Sequence, residues 1–138
     1  MTDRVTARVK GVFERENNGK SDYFVTIADQ YGRSIYMYVP RHEAVALAAA
    51  FDGTPLARPM MVDVLLTSIA AFDVEVAAVV IADLVDGVYL CQIELRSGVR
   101  GVTVDACASD AFEVALRSGC GLEIEEAVFV KLSTPRPD

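Results

Sequence analysis

The run DVEVAAVVIADLV, residues 73–85, limits the fold of this chain more than any other stretch. Its middle is apolar on both faces of an extended strand, so it reads as a central strand and not as an edge. Asp86–Gly87 then turns it into VYLCQIEL, and SGVRG turns that into VTVDA, the pattern of successive hairpins.

The remaining segments predict hairpins and helices in alternation. RVTARVKGVF (4–13) reads as a half-buried strand with Val5, Ala7, Val9, Gly11 and Phe13 on one side, followed by a polar loop, ERENNGKSD. YFVTIA (23–28) and RSIYMYV (33–39) form a hairpin across DQYG. PRHEAVALAAAFDG reads as a helix with Pro40 at its entrance, Glu43 in its first turn and Gly53 at its end. TPLARP is a rigid connector, and MMVDVLLTSIAAF carries Leu65, Leu66, Ile69 and Phe72 at helical spacing. In SDAFEVALRSG, Asp110 and Glu113 fit a capping box and Gly119 stops the helix. A short apolar piece and a last helix, EEAVFVKL, precede STPRPD. The predicted fold class is α+β: a single compact domain over 1–131, built of antiparallel or mixed β-hairpins with three to four helices, and a disordered tail over 132–138. A hairpin leading into a helix occurs twice, with Glu43 and Asp110 in equivalent places, which fits either a duplication or two similar helix starts.

The 138 residues suit one domain. An apolar fraction of 52% and a mean hydropathy of +0.30 are high for this size, with the excess in Ala and Val, and predict a surface that meets another copy of the chain. A homo-oligomer, with a dimer favoured, is the expected assembly. Asp and Glu interrupt every apolar run short of a membrane span, and MTDRVTARVKG has no signal-peptide core, so no membrane partner and a cytoplasmic location are expected. The net charge of −7 disfavours nucleic acid as a partner unless an ion or a local basic cluster intervenes. Three cysteines without CxxC spacing argue against a zinc site or a disulfide framework.

One histidine, His42, sits at a helix start, so triads and two-imidazole RNA cleavage are not supported. No GxGxxG or GxxxxGK[ST] cradles a phosphate. The candidates left are carboxylates near element boundaries: Glu43, Asp63, Asp105 and Asp110. Together they could hold Mg²⁺ or Mn²⁺ for attack on a phosphodiester, or each could cap a helix or face solvent.

The order of RSIYMYVPRHEAVALAAAFDGTPLARPMMVDVLLTSI, VVIADLVDGVYLCQIEL and VTVDACASDAFEVALRSG resembles the bifunctional nuclease domain family over roughly residues 5 to 130. The most specific matches are Glu43–Ala44, Arg58–Pro59 with Asp63, Asp105, Ser109 to Ala111, and Ala115 to Arg117. The resemblance implies a self-associating α+β domain with activity on DNA and RNA. Residue by residue it implies Asp63, Asp105, Asp110 and Ser109 as catalytic groups, Glu43, Asp63 and Asp105 as ligands of Mg²⁺ or Mn²⁺, and Arg58 and Arg117 as phosphate contacts. Departures fall where chemistry is expected. Met61–Val62 replace the family's Thr-His, Cys107–Ala108 replace its Arg-Pro, and Pro40 stands where a Gly ends the third strand. Losing an imidazole and a guanidinium removes the obvious base or ligand and the obvious phosphate clamp. Hydrolysis weakened or lost, and a non-catalytic oligomeric binding module of the same fold, are the two readings.

Overall fold

A computed structural model describes residues 3–133. Among the described residues a seven-stranded mixed sheet and four helices make one α+β domain. In chain order they are β1 (Arg4–Asn17), β2 (Lys20–Asp29), β3 (Ser34–Val39), α1 (Arg41–Asp52), α2 (Met61–Ala71), β4 (Glu75–Val85), β5 (Val88–Ser97), β6 (Arg100–Cys107), α3 (Ala108–Ser118), β7 (Gly121–Glu125) and α4 (Glu126–Ser133). The sheet order is β3-β2-β1-β7-β4-β5-β6.

Two antiparallel meanders, each followed by a helix, thus flank β7. The short apolar piece after Gly119 forms this middle strand, antiparallel to β1 and parallel to β4. Its Leu122 and Ile124 are buried, and they close the seam between the two halves. The repeated hairpin-and-helix pattern corresponds to β2-β3-α1 and β5-β6-α3. Both helices start from an extended residue, Pro40 or Cys107, and end at a left-handed glycine, Gly53 or Gly119.

The run that reads as a central strand is β4, where Val79, Val80 and Ile81 are fully buried although their side chains alternate between faces. Phe112 of α3, Leu47 of α1, Val128 of α4 and Ile124 complete the core. Burying each such side chain contributes about 1.5–3 kcal/mol. α1 packs on β1 and β2, α3 on β4 to β6, and α4 on β4 and β7.

Three expectations are corrected. The polar loop after Phe13 is instead the end of a long hairpin: β1 and β2 stay paired to Asn17 and Lys20. Asn18 (φ 52°) and Gly19 (φ 77°) make the two-residue turn, as Asn-Gly does in type I′ hairpins. Second, Phe13 does not share a face with Val5, Ala7 and Val9. The ladder shifts between Val9 and Gly11, and the extra residue sends Phe13 to the other face, opposite Phe24. Third, Asp110 does not cap α3. The helix begins three residues earlier than that cap would set it, with Cys107 at the cap position making no side-chain cap bond. The tail expected from 132 onward begins inside α4, and residues 134–138 lie outside the described residues.

Candidate functional site

The strands and helices place the expected site residues, all but Asp110, in two separate clefts. The larger is an open groove of about 1320 Å³ between β3, the start of α1, and the β5–β6 end of the sheet. Glu43, Asp105 and Ser109 line it. Glu43 is the third residue of α1 and Ser109 the second of α3, so the two helix starts bring them together. Ser109 Oγ donates a hydrogen bond to Glu43 Oε1. Ser109 is buried, at 8% exposure, and its hydroxyl also lies 3.7 Å from the Cys107 sulfur. Asp105 stands on β6 opposite Gln92 of β5, and accepts a 3.4 Å hydrogen bond from the Gln92 amide.

Asp110 follows Ser109 but is exposed and accepts from the Cys107 thiol at 3.0 Å. The residue that meets Glu43 across the two halves is therefore Ser109, one position from the equivalent acid. Asp110 instead lies near Glu113, whose carboxyl is held above its ordinary range by burial and by the charges of Asp110 and Asp63, against an opposing effect of Arg117.

The second cleft, of about 620 Å³, is walled by the α1–α2 connector, α2 and α3, and holds Asp63, Arg58 and Arg117. Asp63 reaches back to accept from the Met60 amide at 3.0 Å, one half of a capping box at the start of α2. The pattern expected at Asp110 thus appears at Asp63. Arg117 Nη1 donates to Thr54 O at 2.9 Å and ties α3 to the connector. Its Nε and Nη2 are buried without a hydrogen-bond partner among the described residues.

Glu43 and Asp105 therefore share a groove, while Asp63, expected to join them at one ion, lies in the other cleft. Among the described residues no three His, Cys, Asp or Glu side chains group as a metal site. Glu43 and Asp105 are the two of the expected ligands that line one groove.

Among the described residues no histidine lines the groove. His42 is exposed at the second position of α1. The Cys91 thiol, buried in the groove wall, is pushed up to about 12 by burial and by neighbouring Cys107, so it is not a thiolate at neutral pH. Sequence reasoning passed over Gln92, Tyr36 and Tyr38 as groove residues. The alternation YMY was the available signal, because it puts two tyrosines on one side of β3.

A sheet of two meanders joined through β7 thus carries an acid–hydroxyl pair at the helix starts of its two halves. The family model for the bifunctional nuclease domain matches residues 25–136, and the chain belongs to that family. It is 30% identical over 106 residues to two uncharacterised proteins of Mycobacterium tuberculosis, Rv1829 of strain H37Rv and MT1877 of strain CDC 1551. The match covers 77% of this chain and 63% of each relative, so the chain spans less than two thirds of their length. Among the described residues no helix is long and apolar enough to cross a membrane.

Proposed function

We propose that this domain hydrolyses nucleic-acid phosphodiesters with weakened catalytic power, and that the groove holding Glu43, Ser109 and Asp105 is where the scissile phosphate binds. The observation that carries the reading is the Glu43–Ser109 hydrogen bond inside that groove, with Asp105 on its wall. Glu43 and Asp105 would hold Mg²⁺ or Mn²⁺, which supplies a Lewis acid for the phosphoryl oxygens and lowers the pKa of water. Ser109 orients the Glu43 carboxylate, and Gln92 orients that of Asp105. In the groove Asp105 is exposed and Glu43 half-buried. Arg58 and Arg117 serve phosphate further along the substrate. Weak turnover follows from the residues present: among the described residues no imidazole and no guanidinium lines the groove beside the two acids.

The test is cleavage of labelled single-stranded DNA and RNA at low salt with Mg²⁺ or Mn²⁺, by wild type and by a Glu43→Gln, Asp105→Asn double variant. Metal-dependent cleavage that disappears in the variant supports the reading. Absent cleavage, or equal cleavage by both proteins, removes it.

The other reading is a non-catalytic oligomeric interaction module. Met61, Val64 and Phe72 on and after α2, and Val102 and Val104 on the edge strand β6, are exposed. Such apolar surface favours a partner copy, with a dimer the simplest assembly. Sedimentation of wild type against Met61→Ser, Val64→Ser tests it through loss of the dimer. Three cysteines bonded to no other cysteine support a reducing, cytoplasmic setting.

A further inference from the structure

The β1–β2–β3 meander carries an aromatic and basic surface on the face turned away from Val9, Val12 and Val25. The ladder places Phe13 opposite Phe24, Phe24 opposite Tyr38 and Thr26 opposite Tyr36, so all four rings share this face. The Phe24 ring centroid is 5.6 Å from that of Phe13, 6.2 Å from Tyr36 and 5.9 Å from Tyr38. Phe13, Tyr36 and Tyr38 are 47%, 59% and 62% exposed. Gly11 is the floor of the cluster: a Cβ there would sit 2.9 Å from Phe13 Cζ. The shift in the β1 ladder, by turning Phe13 outward, thus completes a ring platform that uninterrupted alternation would not make.

Basic side chains border the rings. Arg15 donates to the Tyr38 hydroxyl at 3.3 Å, and Arg8 and Lys20 share the face by register. None of these three forms an ion pair among the described residues. Asp22 stands opposite Arg15. Further across the sheet, the acids Glu94, Glu123 and Glu125 are gathered by Arg4. The net charge hides this division. Residues 1–41 carry seven Lys and Arg against five Asp and Glu, a net of +2, whereas residues 42–138 carry six against fifteen, a net of −9.

We infer that this face is a stacking platform for the bases of single-stranded nucleic acid, which feeds the strand into the groove. Exposed rings on a sheet accept unpaired bases regardless of sequence, while basic side chains follow the backbone. A duplex keeps its base faces stacked inside and offers the rings nothing. Tyr36 and Tyr38 also line the groove that holds Glu43, Ser109 and Asp105, so platform and groove are continuous. The inference rests on the phosphodiester reading of that groove and adds the substrate class: single strands.

The experiment is fluorescence anisotropy of labelled 12-residue oligo(dT) and oligo(U), and of a duplex of equal length, at low salt in EDTA so that cleavage is silent. Wild type is expected to bind the single strands in preference to duplex. Tyr36→Ala, Tyr38→Ala should weaken binding by about tenfold per ring, while Tyr36→Phe, Tyr38→Phe retains it. Duplex preference, no binding by wild type, or equal binding by the alanine variant overturns the inference. So does a loss of self-association in the alanine variant without oligonucleotide binding, which would assign the rings to a contact between copies. Binding without cleavage sinks the hydrolytic reading alone. Cleavage of single strands that is indifferent to the two tyrosine rings sinks this one alone.

Discussion

Ser109, at the start of α3, donates its hydroxyl to the Glu43 carboxylate at the start of α1, and so joins the two halves of the domain across 66 residues of sequence. A hydrogen bond to a charged group contributes about 1.5–3 kcal/mol. Ser109→Ala is therefore expected to cost about 1–2 kcal/mol, and Glu43→Gln less, because the amide oxygen still accepts. A double-mutant cycle in urea with Ser109→Ala and Glu43→Ala should return a coupling of about 1 kcal/mol. Additive single effects would mean that the pair does not interact in solution.

Glu113 makes a prediction of opposite sign. Burial first, then the charges of Asp110 and Asp63, favour its protonated form in the folded chain. A carboxyl raised by folding contributes stability that is full below the ordinary Glu range, near pH 4.3, and is lost as pH climbs through the raised value. At pH 7 the ionised side chain therefore opposes folding. Glu113→Gln is expected to raise the melting temperature at pH 7 and to lose that advantage near pH 4. Asp110→Asn should bring the Glu113 pKa down, read by NMR titration. A melting gain independent of pH would place its origin elsewhere.

The outline of the fold is legible in the sequence because its signals are local. Alternation, Asp86–Gly87, and the glycines at 53 and 119 each act within a few residues. β7 is not legible in the same way: GLEIE is five residues long, and only its pairing with β1 and β4, both distant in sequence, makes it a strand. Asn18–Gly19 was legible as a type I′ turn, but the polar composition of the flanking strands, which are exposed on both faces, masked it. The acids of the site could be listed from sequence, whereas their division between two clefts could not. It depends on α2, whose first turn turns Asp63 back onto the Met60 amide. The start of α3 was misplaced because Asp110 is a good cap by type, while Cys107 holds the position by backbone geometry alone.

A last prediction concerns the clamp that holds the β2–β3 turn to α4. Arg33 Nε lies 2.7 Å from Asp29 Oδ2, and its Nη1 and Nη2 donate to Glu126 at 2.5 and 2.8 Å. The same guanidinium sits 3.9 Å above the Phe129 ring. Burial pushes the Asp29 carboxyl up, but hydrogen bonds from the Arg33 side chain and from the Arg33 and Tyr31 amides outweigh it and leave it below the ordinary range. The Arg33 hydrogen bond likewise lowers Glu126. Carboxyls lowered by folding contribute stability that is present above their ordinary values and is lost as pH falls through the lowered ones. Arg33→Gln is thus expected to unfold at lower urea than wild type at pH 7, with the gap narrowing below about pH 4 as both acids become protonated. Because the clamp joins residues 93 positions apart, its loss should also speed amide exchange in α4 before the β4–β5 ladder is affected. A urea gap of constant size from pH 7 to pH 3 would show that Arg33 acts through its contact with Phe129 and not through the two carboxylates.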